Sequence, residues 1–471
     1  MKSASANAWV VHKFGGTSVY DAACFRRVAD IIAGQKTPRQ AVVLSAAKGV
    51  TDALLGLVDL AGRQDPAVAT GLQALRDRHR AIAEDLLDKD GAARWLQRFD
   101  QDRVDLEGVL HTTSLLRSAA QNVRDLIAGY GELWSTTLMA AFMESRGGAT
   151  PVRWLDARQC LVVQWGPLGP AVQWEVSRAR LNESGAADFN GTLVIPGFVA
   201  RDPAGVQTTL GRNGSDYSAS IFGALLDAAE IHIWTDVDGV LSADPRRVPN
   251  AQVIDQLSYS EAMELAYFGA KVIHPQTMAP AIGKSIPIYI RNTFAPANPC
   301  TLICAQPASQ LTVKGITTIE DVALVNVEGA GMIGVPGTAH RLFGALREEG
   351  ISVILISQGS SEHSICCAIP AAQADRAEQV VRAAFARELA EGQIQSVEAL
   401  QDQAILAVVG DGMAGTPGVS AKVFNALGQA AINVRAIAQG ASERNISVVV
   451  DGKQATRALR AAHASFYLSP N

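Results

Sequence analysis

The chain has 471 residues, 48% of them apolar and 18% charged, and a formal net charge of −5. Such a composition excludes a disordered chain and implies roughly two to four domains, each able to bury a core. No block of Lys and Arg stands out, which argues against nucleic acid as a partner, and no stretch reaches the roughly 20 apolar residues of a membrane-spanning helix.

The N-terminal apolar run is interrupted at Lys13, too early for a signal-peptide core, so a cytoplasmic protein with no membrane partner is expected. The first predicted strand, Trp9–His12, runs directly into Lys13-Phe14-Gly15-Gly16-Thr17-Ser18. Two glycines let backbone N–H groups approach an anion and the lysine adds a point charge, although an ordinary strand-to-helix turn reads the same way. The absence of G-x-x-x-x-G-K-[ST] excludes a P-loop. A second strand is predicted at Ala41–Ser45, then several helices between about Leu54 and Arg146, where Ala, Leu and Arg dominate and breakers are few. Strands follow at Val152–Leu155 and Thr192–Pro196.

Gly211-Arg212-Asn213-Gly214-Ser215-Asp216-Tyr217-Ser218 is a polar turn opening a helix expected over Ser218–Leu226. Its arginine suits a carboxylate, while Ser215 or Asp216 would equally serve as a helix cap. The strand Ile231–Thr235 ends in Thr235-Asp236-Val237-Asp238-Gly239, with Asp244-Pro245-Arg246 close behind. Acidic residues and glycine at a strand end mark where open α/β sheets place ligands, or else a solvated loop; the spacing excludes a Ca²⁺ loop. Phe268-Gly269-Ala270-Lys271-Val272-Ile273-His274-Pro275 carries a lysine able to reach a phosphate, or one that simply faces water. After a strand at Ile286–Ile290, Pro296, Pro299 and Pro307 punctuate a boundary near residues 305–312. Strands alternating with helices up to that point indicate an α/β domain with a mostly parallel sheet.

Beyond the boundary the chain repeats itself. With Ala323–Ile369 laid over Ala404–Val450 at a constant offset of 81, 19 of 47 positions are identical. Each copy reads as strand, Gly-rich turn, helix, strand, turn, strand, so two copies of one small module are expected to pair. Gly410, Gly412 and Gly415 mimic a dinucleotide fingerprint, but Gly329, Gly331 and Gly334 repeat the spacing and no ribose-binding carboxylate follows, so the glycines belong to the repeated turn. The six cysteines, including neighbouring Cys300 and Cys304 and adjacent Cys366 and Cys367, offer no second pair at zinc-finger spacing and are read as reduced thiols.

Taken together, KFGGTS at 13–18, SAAKGVTDALL at 45–55, GYGELWS at 129–135, LGRNGSDYSA at 210–219, WTDVDGV with DPR at 234–246 and FGAKVIHP at 268–275 resemble the aspartate kinases of the amino acid kinase family, in order and spacing. The resemblance covers essentially the whole chain, and the duplicated module resembles a pair of ACT domains. It implies an amino acid kinase fold, a mostly parallel sheet between helices, over residues 1–308, followed by two α+β ACT domains at 309–395 and 396–471, with 452–471 returning to complete the first.

The resemblance also implies roles. Lys13, Gly15 and Gly16 would face ATP phosphates, with Asp216 orienting Lys13. Ser45, Thr51, Glu132, Arg212 and Ser215 would line an L-aspartate site, Glu132 toward the ammonium group and Arg212 toward a carboxylate. Thr235, Asp236, Arg246 and Lys271 would hold the nucleotide, with Lys13 and Lys271 stabilising charge on the transferring group and Mg²⁺ arriving with ATP. Leu241 stands where a tyrosine is common in the family, and His274 is expected to serve packing rather than the site.

In the repeat, Met332, Gly334, Gln358 and Gln439 would bind an amino acid effector. ISQGSSEHSI and IAQGASERNI resemble the threonine-sensitive kinases fused to homoserine dehydrogenase, so threonine rather than lysine is expected, acting through a homodimer or higher oligomer built on the ACT domains. The ending HASFYLSPN resembles the junction before the dehydrogenase in those fused enzymes, and reduction of aspartate semialdehyde is not expected. The competing readings are a kinase for another carboxylate and a catalytically inactive amino acid sensor.

Overall fold

The computed structural model describes residues 8–148, 150–268, 274–309 and 311–467. They divide into two units: residues of 1–240 and 272–307 form the first, and residues of 241–271 and 308–471 the second.

In the first unit the strands are β1 (Trp9–Phe14), β2 (Arg39–Leu44), β3 (Val152–Trp154), β4 (Thr192–Pro196), β5 (Glu230–Thr235), β6 (Ile288–Asn292) and β7 (Thr301–Cys304). Their order is β7-β6-β5-β1-β2-β4-β3, parallel throughout except at β6–β7. β4 is buried along its whole length, TLVIP, as a central parallel strand covered on both faces must be. β1 is buried at every position except Lys13, which is half-buried. β1 and β5 are neighbours whose following strands, β2 and β6, lie on opposite sides of the pair, and such a switch point opens a crevice at the carboxyl ends of the strands.

The long helical stretch resolves into α1 (Ala22–Ala33), α2 (Val50–Gly62), α3 (Ala67–Leu86), α4 (Lys89–Leu116) and α5 (Gln121–Ser145). Leu54, Leu72, Leu75, Trp95, Phe99, Leu110, Trp134 and Leu138 share one core with Phe14 and Leu44 of the sheet. α5 approaches the segment after β2 closely because Gly131 has no side chain; a Cβ there would lie 2.6 Å from that of Ala46. Further along, α6 (Gly214–Leu225) starts earlier than the sequence suggested, and neither Ser215 nor Asp216 caps it. Asn213, at φ +56, takes the cap position, which leaves Asp216 in the first turn free for another partner.

The second unit contains α7 (Tyr259–Tyr267) and a six-stranded antiparallel sheet. Its strands are β8 (Gly315–Glu328), β9 (Leu355–Gln358), β10 (Ser364–Pro370), β11 (Ser396–Val409), β12 (Ala436–Gln439) and β13 (Asn445–Asp451), in the order β9-β10-β8-β11-β13-β12. Helices α8 (Thr338–Glu348), α9 (Ala374–Ala384), α10 (Val419–Gln429) and α11 (Ala455–Tyr467) pack on it. The offset of 81 holds beyond the sequence match: β8 maps onto β11, α8 onto α10, and the start of α9 onto that of α11. Left-handed backbone recurs at Asp321 and Asp402, Gly334 and Gly415, Gly337 and Gly418, and Glu362 and Glu443.

The two copies share their longest strands. β8 and β11 pair antiparallel over their full length, so each contributes half a strand to the other copy's core: Ile316 packs with Leu406 and Val448, and Val397 with Val325 and Ile369. α11 packs through Ala455, Ala458, Leu459 and Ala462 in a core that holds Val313 and Ile316 together with residues of the second copy, and its Tyr467 hydroxyl donates to the Lys314 carbonyl at 2.5 Å. By contacts, residues of 241–271 group with the second unit, where Ala243 and Val248 join the same core. No helix among the described residues is long and apolar enough to cross a membrane.

Candidate active site

The carboxyl ends of β1 and β2 feed two turns that are pressed together. After β1, Gly15 leads into a 3₁₀ turn, Gly16–Val19. After β2, residues 45–49 lead into α2, with Gly49 at φ +83. The Ser45 N–H donates to the Phe14 carbonyl (3.1 Å) and the Lys48 N–H to the Gly16 carbonyl (3.0 Å). A Cβ on Gly16 would stand 2.7 Å from the Ala46 carbonyl oxygen, so only glycine allows this approach. From the other side, Ser135 of α5 donates its hydroxyl to the Ser45 carbonyl at 2.8 Å.

These turns, α5 and the start of α6 enclose a cavity of about 460 Å³ lined by Lys13, Gly15, Gly16, Ser45, Thr51, Glu132, Arg212, Ser215 and Asp216 among others. The Lys13 ammonium pairs with Asp216 at 2.7 Å, both side chains mostly buried. Glu132 is buried, and burial pushes its carboxyl up to about 8 despite the opposing pull of the Ala46 N–H. Its Oε2 has no hydrogen-bond partner within the protein. A buried unsatisfied polar atom is costly, and one in a cavity wall is placed to receive a donor from a ligand. Arg212 is exposed and also lines the cavity, with no carboxylate partner among the described residues. The cavity thus offers an ammonium, a guanidinium, close-approach backbone at two glycines and an acceptor awaiting a cation. It can hold a zwitterion beside an anion.

The cavity therefore gathers Lys13, Gly15, Gly16, Ser45, Thr51, Glu132, Arg212, Ser215 and Asp216, nine of the residues picked out from sequence. Thr235 and Asp236 lie at the end of β5, next to β1 in the sheet but outside the lining, with the Thr235 hydroxyl donating to Asp236 at 3.2 Å. Arg246 belongs to the second unit, where its exposed guanidinium forks on Asp244. Lys271 lies outside the described residues. Sequence reasoning missed Asp52 and Phe198 in the lining. Phe198, at φ +65, is held by its N–H donating to the Ser218 hydroxyl at 2.9 Å; no motif signals such a backbone position.

In the second unit Met332, Gly334 and Gln358 line one cavity of about 280 Å³, with Thr338 and Glu362. Gln439 lines its counterpart of about 320 Å³, with Met413, Gly415, Ser420 and Glu443. In each, a glutamate accepts from the turn glycine: Glu362 from the Gly334 N–H at 2.9 Å and Glu443 from the Gly415 N–H at 2.6 Å.

A parallel sheet with a glycine-walled anion pocket at its switch point, joined to a duplicated antiparallel module, defines a class. The sequence profile of the amino acid kinase family matches residues 8–292, and that of an ACT domain matches residues 325–385 and 406–466. The chain belongs to the amino acid kinase family. It is 44% identical over 475 residues to a chloroplastic bifunctional aspartokinase/homoserine dehydrogenase of Daucus carota, covering 98% of this chain and 51% of the relative. It is 30% identical to lysine-sensitive aspartokinase 3 of Escherichia coli, covering 97% of this chain and 99% of the relative. The structure superposes on E. coli aspartokinase III in complex with aspartate and ADP with a TM-score of 0.77 at 28% identity, covering 97% and 99% of the two chains. The chain spans about half the length of the bifunctional relatives it matches.

Proposed function

We propose that this protein is an aspartate kinase, transferring the γ-phosphoryl group of ATP to the side-chain carboxylate of L-aspartate to give ADP and 4-phospho-L-aspartate. The observation that carries the reading is the cavity in which the unpartnered, buried Glu132 oxygen faces the same space as Arg212 and the Lys13–Asp216 pair. Glu132 receives the α-ammonium group of aspartate, and Arg212 holds a carboxylate with its planar fork. Ser45, Thr51 and Ser215 complete that side. Lys13 and the backbone at Gly15 and Gly16 face the phosphates, while Thr235, Asp236, Arg246 and Lys271 serve the nucleotide. The aspartate and ADP bound to the E. coli relative support this choice of substrates.

The attacking group is a carboxylate, already ionised at neutral pH, so no general base is needed. Its oxygen attacks the γ-phosphorus, the bond to the β–γ bridging oxygen breaks, and the charge leaves on ADP. Repulsion between two anions is the difficulty, and Lys13, steered by Asp216, offsets it where charge accumulates. Among the described residues no three His, Cys, Asp or Glu side chains gather as a metal nest, and of the cavity's two aspartates Asp216 is committed to Lys13. These residues fit Mg²⁺ carried by the triphosphate and water, where it would neutralise phosphate charge.

The two cavities of the second unit are the effector sites, holding threonine through Met332, Gly334, Gln358 and Gln439, in a homodimer or larger assembly formed by the ACT domains. Acyl phosphate trapped with hydroxylamine tests both parts. ATP- and aspartate-dependent product suppressed by threonine alone is expected. Suppression by lysine alone would overturn the effector, and folded, ATP-binding protein inactive with aspartate would overturn the substrate.

A further inference from the structure

Three arginines of α3 face different partners. Arg76 pairs with Asp100 at 2.6 Å and Arg80 with Asp77 at 3.1 Å, ordinary ion pairs on a helix surface. Arg78, between them, is half-buried and has no carboxylate partner among the described residues. Its Nη1 donates to the Lys48 carbonyl at 3.0 Å and its Nη2 to the Tyr20 carbonyl at 3.2 Å. The guanidinium also lies over the Tyr20 ring, 4.9 Å from its centroid.

The two carbonyls belong to different segments. Tyr20 closes the 3₁₀ turn that begins at Gly16, and Lys48 sits in the turn between Ser45 and Thr51. Both segments line the cavity described above, and both reach it from the ends of adjacent strands. The Lys48 N–H donates to the Gly16 carbonyl across the approach that excludes a Cβ at Gly16, and Val19, Ala46, Ala47 and Val50 share the core beneath. On their outer side, the Tyr20 and Lys48 carbonyls are both held by Arg78. A planar guanidinium can bridge two carbonyls at once because its donors point along a rigid fork; an ammonium presents a point charge instead. Peptide planarity means that holding the Lys48 and Tyr20 carbonyls also fixes the planes of the Lys48–Gly49 and Tyr20–Asp21 peptides.

We propose that Arg78 is a positioning residue for phosphoryl transfer: from outside the cavity it clamps the phosphate-facing turn after β1 to the aspartate-facing turn after β2. The inference rests on the kinase reading for its substrates. A clamp of this kind acts on geometry, and small displacements of reacting groups cost large factors in rate.

The experiment compares Arg78→Gln and Arg78→Lys with the unmodified chain in the hydroxylamine assay, alongside hydrogen exchange of the backbone amides in residues 16–20 and 45–50. Arg78→Gln is expected to lower kcat/KM about tenfold or more with KM raised for both aspartate and ATP, equivalent to roughly 1.4 kcal/mol per tenfold. Arg78→Lys should recover part of that loss, since it keeps the charge but not the fork. Faster exchange in both turns, with little change in the thermal midpoint, is expected in Arg78→Gln. A lowered midpoint with unchanged KM values would overturn the proposal, because a merely structural arginine behaves so. If the unmodified chain makes no acyl phosphate, the kinase reading fails, and the clamp then stands or falls on whether exchange accelerates in both turns.

Discussion

Glu132 places a carboxyl in a cavity wall with one oxygen unsatisfied, and burial raises its pKa to about 8. Its folded value therefore exceeds the ordinary 4.5, and the ligand-free protein holds that proton between about pH 4.5 and 8. Stability linked to the held proton is present below pH 4.5 and declines as pH rises through 8. An ammonium ligand reverses the preference by favouring the ionised form, so its binding should release the proton. Aspartate affinity is expected to rise between about pH 6 and 8, approaching tenfold per unit, and Glu132→Gln should weaken binding roughly tenfold while flattening the dependence. Titration calorimetry in buffers of different ionisation enthalpy would detect the proton; a Glu132→Gln variant with the parent's pH profile would rule the role out. Lys13 and Arg212 stood out in the sequence because a charged residue beside glycines suits an anion, although an ordinary turn reads the same way, and the pairing of Asp216 with Lys13 came only through the resemblance. Glu132 was legible only through the resemblance, since a glutamate inside a helical pattern reads as a solvated face. Arg78 was not legible at all, because its partners are carbonyl oxygens that any sequence supplies.

The elements around the cavity depend on side chains that are missing. A methyl group at Gly16 would meet the Ala46 carbonyl oxygen at 2.7 Å and the Lys48 nitrogen at 3.1 Å, both backbone atoms that can yield only if the turns separate. Gly16→Ala is expected to reduce kcat/KM by about 100-fold while leaving the circular dichroism spectrum intact. Gly108, within α4 and with open space around it, provides the contrast. Gly108→Ala should leave activity unchanged and raise stability by about 0.5–1 kcal/mol, as measured by denaturant melts. Parent-like activity in Gly16→Ala would mean the turns are not held as described. The strands of the first unit were readable because central parallel strands are short, continuous apolar runs. The start of α6 was misplaced because the turn before it is polar and Asn213 can enter the left-handed region, so no apolar residue marks the boundary. The repeat was readable through its glycines but looked shorter than it is. α9 and α11 share buried positions, Ala374 with Ala455, Ala377 with Ala458 and Val381 with Ala462, and small residues at those points leave the exposed faces free to diverge.

At the scale of the molecule, the first unit carries three buried histidines. Burial lowers His12 well below 6.5, His79 to about 4, and His232 as well. His12 stacks on His232 at 5.0 Å and His232 on Tyr289 at 4.8 Å, with the neighbouring Arg291 adding to the lowering in both histidines. Their folded pKa values lie below the unfolded one, so as pH falls below about 6.5 the unfolded chain binds protons first and stability is lost. The thermal midpoint is expected to fall between pH 7 and 5.5, the three histidines outweighing the buried carboxyls of Glu132 and Asp102, which act in the opposite sense. A midpoint that is flat or rises over that interval would show that the histidines are not held neutral.

α7 meets the duplicated module unevenly. Glu261 accepts from the Asp411 N–H at 2.8 Å, Glu264 from the Asn445 amide at 2.8 Å, and Ser260 from Arg444 at 3.2 Å, all in the second copy. The positions 81 residues earlier are Ala330, Ser364 and His363, and the Ala330 N–H donates instead to the Gln395 side chain at 2.9 Å. Descent from one ancestral copy has therefore left two unequal heirs. Drift at 444 and 445 is constrained by a helix elsewhere in the chain, whereas Ala330 answers to Gln395 within the first copy. Anyone grafting a foreign effector pocket onto this tandem would find the first copy the permissive place to start.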